Sequence, residues 1–135
     1  MDYNKLAQML FPDVKNSPEY YEEKFPYRKL PAKAQVTRMA PSPTGFIHLG
    51  NLYSALADER IAHRHGGVFY LRIEDTDEKR KVDGAVELII DTLRYFDIEF
   101  GEGAGFPDDA PQNIYGPYFQ RQRVEIYHAY AKSLV

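Results

Sequence analysis

The spacing of hydrophobic residues changes twice between residues 36 and 73, and this change predicts a strand, a helix and a second strand. An apolar, partly β-branched segment starts at Val36 and stops at Pro41 and Pro43, which interrupt a strand. Helical periodicity then covers residues 49–65, and a second apolar segment follows at residues 68–73. A strand–helix–strand sequence of this length forms a right-handed βαβ unit with parallel strands, which places the chain in the α/β class.

The predicted helix at residues 49–65 has an apolar face and a charged face, and it ends at Gly66 and Gly67, where a left-handed cap residue fits. We expect the apolar face to pack on the sheet; its residues are Leu52, Tyr53, Leu56, Ala57, Ile61 and Ala62. The charged face is expected to meet solvent; its residues are Asp58, Glu59, Arg60 and Arg64.

Helical periodicity returns after the second strand and predicts a second crossover helix that ends near Asp97. Its apolar positions are Val82, Ala85, Val86, Ile89, Leu93 and Phe96. Residues 98–100 are predicted to form a short strand, and residues 101–117 a loop rich in Gly and Pro. A last helix is predicted to open within residues 115–120, and its apolar face would carry Val124, Tyr127, Ala131 and Leu134.

The pattern of residues 1–34 predicts a helical N-terminal extension, and residues 35–135 are predicted to form the domain that follows it. The first helix is indicated by apolar residues at helical spacing: Tyr3, Leu6, Ala7 and Leu10. Ser17, Pro18 and Glu19 supply an N-cap, a proline at the first helical position and an early acid for a second helix. We expect this extension to pack on the outside of the α/β domain.

The amino-acid composition limits the kinds of function that the chain can have. Lys and Arg total 17 against 20 Asp and Glu, so the net charge is −3. This argues against binding nucleic acid by bulk positive charge, although a local basic stripe would still suffice. The chain has no cysteine, which excludes disulfides and thiolate metal sites and fits a reducing compartment. No apolar run reaches 18 residues and the start lacks a signal-peptide layout, so we expect a cytoplasmic protein without membrane contact.

Polar side chains follow both strands of the predicted βαβ unit. Ser42, Thr44 and His48 lie in or after the proline-rich loop, and Glu74 follows the second strand. The ends of neighbouring parallel strands are ~5 Å apart, and ligands bind at this edge of α/β sheets. We therefore expect these four side chains to face one crevice, next to the amides of a helix start.

Residues 38–50 contain Arg-x-Ala-Pro-Ser-Pro-Thr-Gly-x-x-His-x-Gly, and residues 72–77 read Arg-Ile-Glu-Asp-Thr-Asp. These two blocks resemble glutamyl-tRNA synthetases, which are class I aminoacyl-tRNA synthetases marked by a His-x-Gly-His element. Gly116, Pro117 and Tyr118 also resemble the family, so the resemblance covers residues 36–135. Asn51 stands at the fourth position of the His-x-Gly-His element, a position that varies in this family.

The resemblance implies a Rossmann-like parallel sheet with flanking helices, the first half of a class I synthetase nucleotide-binding fold. It implies ATP-dependent ligation of L-glutamate to tRNA(Glu) through glutamyl-adenylate, with ATP, Mg²⁺, glutamate and tRNA as cofactors and partners. The Lys-Met-Ser-Lys-Ser loop and the anticodon-binding region of the family are not within these residues. We therefore expect a fragment, truncated at the C-terminus and inactive alone, of a monomeric enzyme that generally activates glutamate only when tRNA is bound.

The resemblance also implies roles for single residues around ATP. His48 would donate a hydrogen bond to the ATP phosphates as the pentavalent state forms. Gly50 would let the adenine approach the helix backbone, and Thr44 would contact the nucleotide. His48 and Gly50 are thus the implied catalytic positions. Without the resemblance, the imidazole of His48 would be read as a helix cap.

Other residues are implied around the amino acid and the tRNA. Arg38 would face the γ-carboxylate of glutamate, a pairing that suits the planar guanidinium. Ala40 and Ser42 would border the substrate, and Glu74 would take its ammonium group. Thr76 and Arg80 would lie near the acceptor end of tRNA.

Structural alternatives exist for several of these residues. Glu74 could instead pair with Arg72 or Arg80 at the strand end, and Asp75, Thr76 and Asp77 could cap the turn into the second helix. His63, His65 and His128 have no metal-ligand spacing and are expected at the surface, so no metal site is predicted.

Particular sequence segments distinguish most of the alternative functions from glutamyl-tRNA synthesis. Glutaminyl enzymes carry a Pro-Pro-Glu-Pro-Asn-Gly-like loop where this chain has Ala-Pro-Ser-Pro-Thr-Gly at residues 40–45. A truncated paralogue that glutamylates a modified tRNA anticodon base shares most residues, but its cysteine-rich zinc site is absent from these residues. A nucleotidyltransferase with His-x-Gly-His would explain His48 but not residues 74–77. A dehydrogenase lacks its Gly-x-Gly-x-x-Gly here, and a non-catalytic module remains the third alternative.

Overall fold

A computed structural model describes residues 2–135 of the chain. They divide into two compact units, one of residues 2–28 with Gln122–Val135 and one of Lys29–Arg121. The helices of these described residues are α1 (Tyr3–Leu10), α2 (Pro18–Lys24), α3 (Leu49–His63), α4 (Ala85–Tyr95) and α5 (Val124–Ser133). The strands are β1 (Val36–Met39), β2 (Val68–Leu71) and β3 (Glu102–Gly103), and short 3-10 helices cover Glu78–Arg80 and Gln120–Arg123. None of the helices within residues 2–135 is long and apolar enough to cross a membrane.

The three strands form one parallel sheet in the order β1-β2-β3. Val36 pairs with Val68 and Met39 with Leu71, so β1 and β2 end level with each other. The predicted parallel βαβ unit and the α/β class are therefore confirmed. Beyond β2, Ile73 continues the ladder by donating to the Tyr118 carbonyl at 2.9 Å and accepting from the Gln120 amide at 2.9 Å.

The third strand does not lie at residues 98–100, where it was predicted. Ile98 and Phe100 instead point into the core, and the Ile98 amide closes the end of α4 on the Leu93 carbonyl at 3.0 Å. The ladder forms two residues later, where Gly103 pairs with Leu71. A Cβ on Gly103 would lie 2.2 Å from the Leu71 carbonyl oxygen, so this close pairing requires glycine.

The predicted sheet-facing side of α3 is correct at Leu52 and Ala62 and wrong at Tyr53 and Ile61. Ala55 and Ala62 are fully buried, whereas Tyr53 and Ile61 are 74% and 50% exposed. Alanine side chains let a helix approach a sheet closely, and Tyr53 and Ile61 lie on the solvent side. The predicted apolar face of α4 is correct at its centre, since Ala85, Ile89 and Leu93 are all buried.

Glu59 was predicted to face solvent, and it is buried with 2% exposure. Arg60 Nη1 lies 2.8 Å from its Oε2, and His63 Nδ1 lies 3.0 Å from its Oε1. Both carboxylate oxygens thus have partners, which is the condition under which a buried charge is tolerated. His63 keeps a partly exposed ring at the helix end, in line with its predicted surface position.

The other unit contains α1, α2 and α5, and both N-terminal helices contact α5. The Lys132 ammonium donates to Gln8 Oε1 at 3.0 Å and to the Phe11 carbonyl at 3.1 Å, so a cation closes the C-terminal end of α1. Helix α5 begins later than predicted, at Val124. Its predicted apolar face is also wrong, because Ala129 is buried while Leu134 is 88% exposed.

Gly67 offers a test of the α3–β2 junction. A Cβ there would lie 1.9 Å from the Gln35 carbonyl oxygen and 2.9 Å from that of Ala62. Because backbone must move to make room, Gly67→Ala should lower the free energy of unfolding by about 1–3 kcal/mol. Urea unfolding followed by circular dichroism measures this. Gly101→Ala is the matched control, since nothing lies within 4 Å of its Cβ position, and equal losses for both variants would contradict the close approach.

Candidate functional site

The loop between β1 and α3 borders a cavity of about 580 Å³. Its walls come from the loop, the first turn of α3, the segment before α4 and α4 itself: Pro41, Ser42, Thr44, Gly45, Phe46, Ile47, His48, Asn51, Val82 and Ile89. Three residues named from sequence, Ser42, Thr44 and His48, therefore share one cavity.

His48 is the N-cap residue of α3, in extended conformation, and its imidazole makes no capping hydrogen bond. Its carbonyl starts the helix by accepting from the amides of Asn51 at 2.9 Å and Leu52 at 3.2 Å. The ring is thus not used to satisfy the helix end. It borders the cavity beside the start of a 15-residue helix, where the helix dipole favours negative charge.

Backbone hydrogen bonds hold the proline-rich loop against the end of β2. The Arg72 amide donates to the Met39 carbonyl at 3.0 Å, and the Glu74 amide donates to the Pro41 carbonyl at 2.9 Å. Pro43 is fully buried, and its carbonyl accepts from the Val82 amide at 3.0 Å. The predicted meeting of the loop and the acidic strand end at one sheet edge is observed.

Glu74 lies between two guanidinium groups. Arg72 Nη2 is 3.0 Å from Glu74 Oε1, and Arg38 Nη2 is 3.8 Å from the same oxygen. The side chains of Arg38 and Glu74 are 37% and 33% exposed, so both are open to solvent and to a ligand. Of the two alternative partners considered for Glu74, Arg72 is the one in contact.

The acidic residues after Glu74 mainly hold the chain in place. Asp75 Oδ1 accepts from the Arg121 amide at 3.0 Å, and the Arg121 guanidinium also contacts Glu78. Asp77 caps the 3-10 helix Glu78–Arg80 by accepting from the Arg80 amide at 3.2 Å. Asp77 therefore agrees with the structural alternative of a turn cap, whereas Asp75 does not cap that turn and is bonded to a distant backbone amide.

The remaining named residues do not line the cavity, and for Glu74 this differs from the predicted shared crevice. Gly50 is in the first turn of α3 with open space at its Cβ position, and Ala40 is partly buried between β1 and the loop. Thr76 and Arg80 are exposed beyond Glu74. Arg38 and Glu74 form the neighbouring ion pair at the strand ends.

Sequence reasoning missed several cavity residues. Phe46, Ile47 and Ile89 give the cavity an apolar wall, and Asn51, to which no role was assigned, also borders it. The position of Asn51 one turn after His48 was the available signal. Val82 was expected on the apolar face of α4, but it precedes that helix and lines the cavity.

Among residues 2–135, no group of three or more His, Asp or Glu side chains is placed to hold a metal ion. The carboxylates of Glu74 and Asp77 are engaged by the guanidinium groups of Arg72 and Arg80, and Asp75 accepts from the backbone amide of Arg121.

The parallel sheet, its level strand ends and the helix that starts at the polar loop define a Rossmann-like α/β fold. Residues 35–135 match the family described as tRNA synthetases class I (E and Q), catalytic domain. The chain belongs to this family.

Individual relatives agree with that assignment. The whole chain is 61% identical to a glutamate–tRNA ligase of Acetivibrio thermocellus and covers 24% of that protein. It is 48% identical to a glutamate–tRNA ligase of Clostridium perfringens strain 13, with the same 100% and 24% coverage. The chain therefore spans about a quarter of the length of these curated relatives.

A solved structure is similar in fold and in sequence. It is the crystal structure of a glutamate tRNA ligase from Elizabethkingia meningosepticum CCUG26117 in complex with its amino acid. The TM-score is 0.65 at 42% identity, and the match covers 75% of this chain and 19% of that one.

Asp77 gives the acidic turn a defined pH response. A hydrogen bond from the Arg80 side chain, with Nε 2.6 Å from Oδ2, holds the pKa of Asp77 below its ordinary value of 3.8. A lowered folded pKa means that the ionised carboxylate stabilises the turn above pH 3.8 and that this stabilisation is lost as pH falls through the folded pKa. We expect the NMR chemical shift of the Arg80 side-chain Nε–H to move, in that acid range, from its hydrogen-bonded value to that of a solvent-exposed arginine.

Asp77→Asn keeps an N-cap oxygen but removes the titrating charge, so the acid transition of the Arg80 signal should disappear. Asp83→Asn changes an exposed carboxylate a few residues further along and should leave the transition in place. An unchanged transition in Asp77→Asn would show that another group controls Arg80.

Proposed function

We propose that the protein containing this chain ligates L-glutamate to tRNA(Glu) in the cytoplasm, using ATP and passing through glutamyl-adenylate. The observation that carries the proposal is the Arg38–Glu74 ion pair at the adjoining ends of β1 and β2, beside the cavity that His48 borders. Glutamate-dependent exchange of pyrophosphate into ATP by the full-length protein, with tRNA present, tests it. Residues 35–135 would form the first half of the catalytic domain and residues 1–34 its extension, in a monomer.

The charges at the strand ends complement glutamate. At neutral pH the amino acid carries two carboxylates and one ammonium group, hence a net charge of −1. Arg38 would bind the γ-carboxylate, and Glu74 would accept from the ammonium group, with Ala40 and Ser42 beside the substrate. The guanidinium of Arg38, which is partly exposed at the strand end, favours a second carboxylate over the neutral side chain of glutamine.

The cavity next to this ion pair is the proposed place for ATP. His48 would donate to the phosphates, Thr44 would contact the nucleotide, and Gly50 would leave room for the adenine against α3. Attack of the α-carboxylate on the α-phosphorus forms a phosphorus–oxygen bond and releases pyrophosphate. Such displacements depend on positioning and on neutralising charge, which a helix start and a histidine donor supply.

Mg²⁺ would reach the site as the counter-ion of the triphosphate, where it would neutralise phosphate charge. None of the described residues that line the cavity carries a carboxylate, so the phosphate oxygens and water would supply the Mg²⁺ ligands there.

The exposed segment after Glu74 is the proposed contact for the acceptor end of tRNA. Thr76 and Arg80 lie there, and Lys79 and Lys81 flank Arg80. Basic side chains of this kind bind phosphate by local charge even in a chain whose net charge is negative. The glutamyl group would then pass from the adenylate to the terminal ribose.

Removing Arg38 should impair the use of glutamate. Arg38→Ala in the full-length protein should raise the KM for glutamate about 10- to 100-fold, because a charge-assisted hydrogen bond to a carboxylate is lost. The KM for ATP should change by less than about twofold. Pyrophosphate exchange with each substrate varied in turn gives both constants.

Arg94→Ala is the matched control, because Arg94 is an exposed arginine in the last turn of α4 whose guanidinium lies 3.7 Å from Asp91 Oδ1. It should leave both constants unchanged. If Arg38→Ala raised the KM for glutamate and the KM for ATP by the same factor, the assignment of Arg38 to the γ-carboxylate would be wrong.

Removing His48 should slow adenylate formation. His48→Ala deletes one donor aimed at developing phosphate charge, and the loss of such a donor costs about 10²–10³-fold in kcat. Single-turnover adenylate formation at saturating substrates measures this step. His65→Ala removes an exposed histidine and should have no effect on the rate, while equal rates for the His48 variant and the unmodified protein would exclude the phosphate role.

A further inference from the structure

Arg72 is the cation nearest to Glu74, and the proposed function has so far given it no task of its own. Its Nη2 lies 3.0 Å from Glu74 Oε1, nearer than the 3.8 Å of Arg38. Its side chain is 17% exposed, against 37% for Arg38. Arg72 is therefore the more buried and the closer of the two cations.

The backbone fixes the approach of Arg72 to Glu74. The amides of both residues are bonded to carbonyls at the end of β1 and in the loop, and Ile73 between them is fully buried in the core. Because alternate residues of extended chain point to the same side, Arg72 and Glu74 share the side opposite Ile73. Their ion pair is thus built into the end of β2.

The guanidinium of Arg72 is incompletely satisfied. Its Nε is buried and has no hydrogen-bond partner among the described residues. An unpaired buried donor is unfavourable, and a residue present only for stability would be expected to have partners for its buried nitrogens. The one hydrogen bond that its side chain makes in the described residues is the bond to Glu74.

The two carboxylate oxygens of Glu74 differ in their partners. Arg72 and Arg38 both approach Oε1, and Oε2 has no hydrogen bond within residues 2–135. The side chain is one-third exposed, so Oε2 is accessible. A carboxylate held by one oxygen presents the other to a cation in a fixed direction.

We propose that Arg72 is a positioning residue that holds Glu74 by Oε1 and so directs Oε2 to the ammonium group of the amino acid substrate. This inference rests on the proposed function, because it concerns recognition of the same glutamate. Arg72 itself does not touch the substrate. Its contribution is specific to the ammonium group and does not extend to the γ-carboxylate.

Glutarate provides the discriminating ligand, because it has both carboxylates of glutamate and no ammonium group. In the full-length enzyme with tRNA, Arg72→Met should raise the KM for glutamate about 10-fold or more and leave the KM for ATP within about twofold. The inhibition constant of glutarate should also stay within about twofold. Arg38→Ala is the contrasting variant, since it should weaken glutamate and glutarate alike.

Two further variants guard against a simple loss of folding. Arg72→Lys keeps the charge without the planar geometry and should give a KM for glutamate between those of the unmodified enzyme and Arg72→Met. Glu74→Gln combined with Arg72→Met should be no worse than Glu74→Gln alone, because Arg72 acts only through Glu74. This cycle decides the question even where glutarate binds the unmodified enzyme too weakly to measure.

The results separate the two levels of the proposal. The positioning role would be overturned if Arg72→Met weakened the binding of glutarate as much as that of glutamate. It would also be overturned if the two substitutions raised the KM for glutamate additively in the double variant. The proposed function would stand in both cases. An unmodified enzyme with no glutamate-dependent pyrophosphate exchange would overturn the proposed function itself.

Discussion

The candidate site depends on two backbone hydrogen bonds that join the end of β1 and its loop to the end of β2. One runs from the Arg72 amide to Met39 and the other from the Glu74 amide to Pro41. Proline has a carbonyl but no N–H, so Pro41 and Pro43 can each be tied to another segment only as acceptors. Both carbonyls are used in this way, the second by the Val82 amide. The loop is therefore stiff in itself and fixed at both prolines, which lowers the entropy lost when a ligand binds.

This constraint separates the tasks of neighbouring acidic residues. Glu74 is on the loop side of the strand end and meets two arginines, whereas Asp75 and Asp77 accept from Arg121 and Arg80. Residues adjacent in sequence thus divide into one carboxylate open to a ligand and two that hold the turn. The division follows from the alternation of extended chain up to Glu74 and from the turn that begins after it.

The βαβ unit and its site edge could be predicted because they follow from periodicity and turn residues. The face of α3 could be predicted only in part, since Ala62 is buried as expected, but hydrophobicity favours Tyr53 and Ile61 whereas close approach to the sheet selects Ala55. Strand β3 has two residues and depends on Gly103 fitting against Leu71, a condition that no local pattern carries. For the site, motif residues were brought to one edge as expected, but Ile89 of α4 lines the cavity by tertiary packing alone.

Comparison of Glu59 with Glu74 shows which property marks a carboxylate as available for chemistry. Glu59 is the more buried of the two, yet Arg60 and His63 engage both of its oxygens. A group in that state has no capacity left for a ligand, and its burial serves the packing of α3. Glu74 is only partly buried and is fixed by a single oxygen. Glu74 is suited to bind a substrate ammonium group because one carboxylate oxygen fixes its orientation and the other is left to accept a hydrogen bond. Burial and charge alone do not provide this.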